Sequence, residues 1–253
     1  MFDYVVCFYF GHRRVPIIND LLLKDKYFLV RKHLDFIKKY LEKCDQLNKV
    51  YFIINSTNYE SHLNIENSTI ERLEIEEIIY SYGLNNVVLI QRQNVDFSYG
   101  AWNDAIKLQM YTKSKYAFLS EDDYIPKVPN FYEYFIKKFD DDTAYVCQLY
   151  IANGAAGKKV HAAMSSGFVS YEKAKIVYQK HGSVLKLVNK HDSDVNKSYS
   201  LGQVNQVNFL DYFHEYKITD VSEETFSVFL DVYNRQTSHG NLNGVELIVP
   251  ITE

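Results

Sequence analysis

Apolar and polar positions along the chain follow two periods in turn. Residues 4–10 form a continuous apolar run rich in Val and aromatics, closed by Gly11-His12-Arg13-Arg14. Such a run marks a strand covered on both faces, as in a parallel sheet. Val30, Leu34, Ile37, Leu41 and Cys44 then recur at helical spacing, with Lys and Glu between them. Residues 50–54 read as a second buried strand, ended by Asn55-Ser56. Ser68 with Glu71 forms a capping-box pattern ahead of Ile75, Ile78, Ile79 and Tyr82, and Gly83 is the expected stop. Residues 87–90 predict a third strand and 101–111 a helix. Residues 116–119 predict a fourth strand, followed at once by Ser120-Glu121-Asp122-Asp123.

Strands and helices that alternate in this way predict an α/β fold, with a Rossmann-like, mainly parallel sheet and helices on both faces. In such sheets ligands bind beyond the carboxyl ends of the strands. Polar clusters fall at those ends here: residues 11–14, Asn55, residues 92–94 and residues 121–123.

The second half is less regular. Residues 145–151 predict a strand, 153–159 a loop with two Gly and two Lys, and 164–170 a short strand centred on Gly167. Residues 171–181 predict a helix stopped by Gly182. Residues 190–201 are polar, and 203–216 predict a helix with Val204, Val207, Leu210 and Phe213 in register. Residues 226–232 fit both periods. Residues 238–244 read as a turn-rich loop and 245–251 as a terminal strand. Neither repeats nor a low-complexity linker interrupt the pattern, so one domain over residues 1–253 is the economical expectation.

Composition narrows the classes. Hydrophobic residues make up 47% and charged residues 24% of the 253, a globular balance that argues against disorder. The net charge of -4 offers no electrostatic footprint for nucleic acid. The 22 Tyr and 16 Phe could stack on sugars or bases, but in a chain this rich in Tyr, Asn and Lys most of them read as compositional bias. Cys7, Cys44 and Cys147 are odd in number and widely spaced, which suggests neither a disulfide framework nor a zinc cluster. The first apolar run ends at Gly11, too short for a membrane span, and no later segment reaches that length. A reducing, cytoplasmic compartment is expected.

The sharpest chemical signal is the run Tyr116-Ala117-Phe118-Leu119-Ser120-Glu121-Asp122-Asp123-Tyr124-Ile125-Pro126. A hydrophobic strand delivers three carboxylates to its carboxyl end. Like charges so close repel and call for a compensating cation. Hard divalent ions such as Mn²⁺ or Mg²⁺ take oxygen ligands and share them with phosphate and water, an arrangement that anchors a diphosphate. An isolated acidic triplet would read instead as a solvated turn or an N-cap; the buried strand ahead of it and Pro126 behind favour the metal. A second segment, Arg92-Gln93-Asn94-Val95-Asp96-Phe97-Ser98-Tyr99-Gly100-Ala101-Trp102-Asn103, leads into the helix before that strand.

Together the two segments resemble GT-A-fold glycosyltransferases of the family-2-like, bacterial or large-virus type. There an Asp-x-Asp motif follows a strand, and an Asn-x-Gly-x-x-x-Gly-Ala-x-Asn segment precedes it. The likeness covers about the first half of the chain. It implies a GT-A fold with a nucleotide-sugar-binding half, residues 1–123, and an acceptor-binding half, residues 124–253. It implies Glu121 and Asp123 as metal ligands for Mn²⁺ or Mg²⁺, with Glu in place of the first Asp; Glu121 or Asp122 could instead hold the ribose or the metal's waters. Arg92, Asn94, Gly100, Ala101 and Asn103 fall on the donor side, Gly100-Ala101 bringing the helix start close to the donor. Asp96 stands where the family has Gly. The loop after the first strand, with Gly11, His12, Arg13 and Arg14, would cradle base, ribose and phosphate. Asn55 takes the place of an acid that reads the base. Met164-Ser165-Ser166-Gly167-Phe168 resembles the short strand that lines donor sugar and acceptor, so Ser166 and Gly167 are acceptor candidates. Close strand packing is an equal explanation for that Gly.

Inverting members carry a Glu-Asp near a later helix start, where this chain has Gly202-Gln203-Val204-Asn205-Gln206 with no acid. Asp192 or Asp194 in the preceding polar stretch, or Asp211 one turn on, could supply the base. A retaining mechanism would need none there. His191 is a further candidate, and His239 could complete the metal shell as a C-terminal His does in some retaining members. The implied partners are a nucleotide-sugar donor and a glycan, lipid-linked or protein-linked acceptor of polysaccharide biosynthesis. A nucleotidyltransferase, or a non-catalytic carbohydrate-binding protein on the same fold, is the alternative.

Overall fold

The computed structural model describes residues 1–11, 16–56, 62–109, 112–126, 129–154, 157–185, 217–220 and 229–231. The expected helix at 203–216, the polar stretch 190–201, the loop 238–244 and the terminal strand 245–251 lie outside them. The chain begins with β1 (Phe2–Phe8), α1 (Pro16–Lys24) and α2 (Phe28–Phe36), which runs on into a π-helical turn, Ile37–Leu41. There follow β2 (Leu47–Ser56), α3 (His62–Ser81), β3 (Val87–Gln93), α4 (Phe97–Gln109), β4 (Tyr116–Glu121) and β5 (Tyr124–Pro126). The second half contributes α5 (Phe131–Ile136), β6 (Thr143–Gly154), β7 (Gly157–Ser170), α6 (Tyr171–His181), β8 (Lys217–Asp220) and β9 (Phe229–Asp231).

The fold is α/β and Rossmann-like. A seven-stranded sheet has the order β3-β2-β1-β4-β7-β6-β8, and β5 and β9 make a small second sheet. All the large sheet's strands run one way except β7, which is antiparallel to both neighbours. Successive strands β1, β2 and β3 build outward in one direction, and β4 then returns to the other flank of β1. The switch of direction therefore lies between β1 and β4.

The all-buried pattern of β1 follows from cover on both faces. Phe2, Tyr4, Val6 and Phe8 point to one side, into a cluster with Leu29 and Leu34 of α2, Ile75 and Ile79 of α3, and Phe131 and Phe135 of α5. Val5 and Cys7 point to the other, among Trp102, Ala105 and Ile106 of α4 and Tyr171, Ala174 and Val177 of α6. Helices thus lie on both faces. Phe118 of β4 meets Tyr4, Phe131 and Phe168 at centroid distances of 5.1, 4.9 and 5.2 Å. Burying each such ring contributes roughly 1.5–3 kcal/mol, so side chains decide which strand sits beside β1, since any strand could make the backbone ladder. At the amino edge the buried Asp3 carboxylate accepts from Ser114 Oγ (2.7 Å), Asn48 Nδ2 (2.9 Å) and the Tyr171 hydroxyl (3.1 Å).

Several elements differ from the sequence expectation. α3 begins at His62, so Ser68 lies inside the helix and caps nothing at its start. Gly83 does end the helix, with φ of 65°, and Gly182 ends α6 at 73°, both in the left-handed region. The expected loop at 153–159 is largely the tip of a long hairpin, with Asn153 opposite Lys158 and Gly154 opposite Gly157. α1, α5, β5 and β8 were not anticipated, because each is short.

Two local arrangements position the ligand edge. Between β3 and α4 the chain turns through Asp96 (φ 57°) and Phe97 (φ 55°), both left-handed without being Gly. Asp96 holds a backbone that a Gly would favour, at a cost of about 1–2 kcal/mol. Gly100 lies in the second turn of α4, and a Cβ there would stand 2.2 Å from the Val95 carbonyl oxygen. The close approach that demands this Gly is internal. Beneath the acidic turn, His33 of α2 is wholly buried. Its Nε2–H donates to the Asp122 carbonyl at 2.9 Å, and Nδ1 accepts from the Tyr4 hydroxyl at 3.0 Å. A carbonyl can only accept, which fixes the tautomer. Burial lowers the His33 pKa to about 4, against smaller upward pulls from the Asp122 carbonyl and the Asp123 charge.

Gly100→Ala should lower stability by about 1–3 kcal/mol, seen as a melting temperature roughly 2–4 °C lower for each kcal/mol in a chain of this size. An unchanged melt would show that the Val95 carbonyl moves aside freely. His33 makes stability depend on pH. Between pH 6.5 and about 4 the unfolded chain binds a proton that the folded chain refuses, so stability is full above the unfolded value and falls as pH falls through that window. The slope is about 1.4 kcal/mol per pH unit. Urea unfolding at pH 7 and pH 5 should show this loss in the wild type and a smaller one in His33→Phe; equal losses would remove His33 as the cause.

Candidate functional site

β4 ends on Glu121 and β5 starts at Tyr124, so Asp122 and Asp123 alone make the turn between them. The turn sits at the carboxyl end of the sheet on the switch between β1 and β4. In register Glu121 lies beside Cys7 of β1. The backbone N–H of Tyr9, just past β1, donates to Asp122 Oδ2 at 3.1 Å and ties the two strand ends together. Ser120 Oγ lies 2.9 Å from the Glu121 carbonyl and 2.7 Å from that of Tyr124. Asp122 and Asp123 are both 2% exposed. Glu121 is half-buried and accepts from Ser98 Oγ at 2.8 Å, in the first turn of α4, where unpaired helix N–H groups favour an anion.

The donor set is wholly oxygen, which suits a hard divalent cation. Among the described residues no three His, Cys, Asp or Glu side chains are grouped to hold one metal ion. The carboxylates of Glu121 and Asp122 are each turned to a separate protein donor. Such a turn fits an ion that keeps one or two protein carboxylates and fills its remaining positions from phosphate and water, as Mg²⁺ does beside nucleotides. It does not fit an all-protein cage.

Several residues expected at the donor are engaged in the scaffold. Arg92 Nε donates to Asp104 Oδ2 at 2.7 Å, Nη1 to Asn55 Oδ1 at 2.8 Å and Nη2 to the Val95 carbonyl at 3.0 Å. Asn55 uses its amide nitrogen on Cys7 Sγ (3.1 Å) and the Phe97 carbonyl (3.0 Å). Together they lock β1, β2, β3 and the left-handed turn ahead of α4. Asn94 is buried, and its backbone N–H donates to the Ser56 carbonyl at 3.1 Å. Asn103 Oδ1 accepts from Ser183 Oγ (2.7 Å) and the Val184 N–H (3.0 Å), fastening the segment after α6. Ala101 is buried in α4. Gly11 ends the described stretch after β1. Ser166 stands opposite Ser120 in the β4–β7 register, one step from Glu121. A Cβ at Gly167 would lie 2.4 Å from the Tyr145 hydroxyl and 2.9 Å from the Val146 carbonyl, a packing reason for that glycine.

His12, Arg13, Arg14, His191, Asp192, Asp194, Asp211 and His239 lie outside the described residues. The structure adds two residues that sequence reasoning missed. His33 holds the acidic turn from within the core; its helical spacing with Val30 and Ile37 reads as ordinary core, and nothing local reveals its partner. Asp231 of β9 pairs in register with Tyr124, next to Asp123, a pairing that no local pattern announces. A cavity of about 560 Å³ among Ser114, Tyr116, Phe139 and Ser170 lies at the amino edge, the wrong end of the strands for a ligand of this fold. Among the described residues no helix is long and apolar enough to cross a membrane.

No protein-family model and no curated protein matches this chain. Its likeness to solved structures is remote. A 4-diphosphocytidyl-2C-methyl-D-erythritol synthase from Anaerococcus prevotii aligns with TM-score 0.48 and 8% identity, over 87% of this chain and 85% of that one. A mannosyltransferase from Pyrobaculum calidifontis, in complex with GDP-Man and Mn²⁺, gives 0.46 and 10%, over 87% and 54%. A glycosyltransferase of Streptococcus pneumoniae gives 0.39 and 10%, over 86% and 44%, so this chain spans about half the length of either glycosyltransferase.

Proposed function

We propose that the chain is a divalent-metal-dependent glycosyltransferase of GT-A type, moving a sugar from a nucleoside-diphosphate sugar to a glycan or other acceptor. One observation carries the reading: the turn Glu121-Asp122-Asp123 stands at the carboxyl end of β4, on the switch point between β1 and β4. That is where open α/β sheets bind nucleotides. Asp123 is the proposed metal ligand, with Glu121 as its partner or held on α4 by Ser98. Asp122 secures the loop after β1, whose residues 11–14 are proposed to take the base and phosphates. A bound Mn²⁺ or Mg²⁺ would neutralise the diphosphate leaving group, a contribution of several kcal/mol to the transition state. The left-handed turn at Asp96 and Phe97 aims the first turn of α4 at the same edge. Ser166, opposite Ser120, is proposed to face the acceptor side. The base is proposed among Asp192, Asp194 and Asp211, with His239 as a possible further metal ligand.

Asp123→Asn keeps the shape of the side chain and removes its charge. The variant should fold with wild-type stability or slightly better, since it relieves repulsion with its acidic neighbours. It should lose nearly all transfer from a nucleotide sugar, together with the Mn²⁺-dependent part of UDP or GDP binding followed by thermal shift. Wild-type transfer rates in this variant at ordinary Mn²⁺ concentrations would refute the metal site.

A further inference from the structure

The acidic turn is held from below as well as displayed above. Of the groups at Asp122, the carboxylate faces the loop after β1 through the Tyr9 N–H, and the carbonyl faces the core through His33 Nε2. Ser120 Oγ shares its single proton between the Glu121 and Tyr124 carbonyls, at the two ends of the turn. The backbone of the turn is therefore held at the Glu121, Asp122 and Tyr124 carbonyls, and the direction in which the carboxylates leave it is set by that grip.

His33 is an unexpected residue for its place. It lies wholly buried on the aromatic face of α2, with ring centroids 5.9 Å from Tyr4, 5.5 Å from Phe8 and 6.4 Å from Phe52. An apolar ring of the same size would pack there without the cost of burying a polar group. What the imidazole adds is a single N–H aimed at the Asp122 carbonyl, with the Tyr4 hydroxyl fixing its orientation from the other nitrogen. α2 also packs directly against β5, so the ring reaches the turn from a rigid element.

We infer that His33 is a positioning residue for the acidic turn: through its Nε2–H it sets the Asp122 backbone, and with it the aim of Asp123 toward a divalent cation and diphosphate. The inference rests on reading the turn as a metal–diphosphate site. Partners that orient metal ligands from behind typically contribute 10–100-fold in metal affinity.

The test compares three variants of the full chain. His33→Phe keeps the ring and loses both nitrogens. His33→Gln can place an amide N–H near the Nε2 position, whereas His33→Asn reaches only as far as Nδ1. For each, the Mn²⁺ concentration giving half-maximal binding of UDP or GDP is measured by thermal shift and by Mn²⁺ paramagnetic resonance, beside the melting temperature without ligand. A packing role alone would lower melting temperatures and leave the Mn²⁺ midpoint in place. The positioning role raises the midpoint about 10–100-fold in His33→Phe and His33→Asn, and His33→Gln returns to near the wild-type value. If His33→Phe does not fold, the Gln and Asn pair still decides. Midpoints equal to wild type in the folded variants, or a Gln variant as weak as Asn, overturn the inference while leaving the metal site standing. Absence of any Mn²⁺-dependent UDP or GDP binding in the wild type overturns both.

Discussion

Burial of β1 and β4 from both sides is the constraint from which the rest follows. Two layers of helices leave these strands no polar face, so the carboxylates they carry fall at the ends, and the Tyr4 hydroxyl within β1 is met by His33. At the amino end the emerging group is Asp3, hydrogen-bonded by three donors from β2, the approach to β4 and α6. At the carboxyl end it is the acidic turn. The first is tied wholly into the scaffold, and the second is the proposed metal site, although both hold carboxylates. The difference lies in which side chains the neighbouring elements supply.

The central architecture was legible because it is written in runs. β1, β2 and β4 each contain an unbroken apolar run, at 4–8, 50–54 and 116–119, as buried parallel strands must. Gly83 and Gly182 were legible as helix stops because a left-handed residue is cheap only for Gly. The start of α3 was misplaced because Ser68 and Glu71 satisfy a capping pattern anywhere, and only tertiary packing decides whether a helix begins earlier. The hairpin at 153–159 was hidden by its Gly and Lys content, which reads as loop although strand pairing overrides it.

At the proposed site, the place of the acidic turn directly after a buried strand could be read from the sequence. The roles of Arg92 and Asn55 could not, since a polar residue at a strand end looks the same whether it faces a ligand or locks a turn. Here the two bind each other and the left-handed turn, which ties them to the scaffold. His33 was illegible for the opposite reason. At helical spacing it imitates the core residue it replaces, and its partner stands 89 positions away in sequence.

The reversed strand β7 has a consequence for the field along the ligand edge. Because β7 runs against its neighbours, α6 starts at the amino edge and climbs toward the carboxyl edge, whereas α4 descends from it. The hydrogen bonds from Ser183 and Val184, just past α6, to Asn103, midway along α4, record this antiparallel pairing. Their macrodipoles therefore oppose one another. The carboxyl edge receives the positive end of α4, while the negative end of α6 stops beside the middle of that helix, short of the edge. The positive field at the first turn of α4 is therefore not offset by its antiparallel neighbour, and that end of the edge favours an anion.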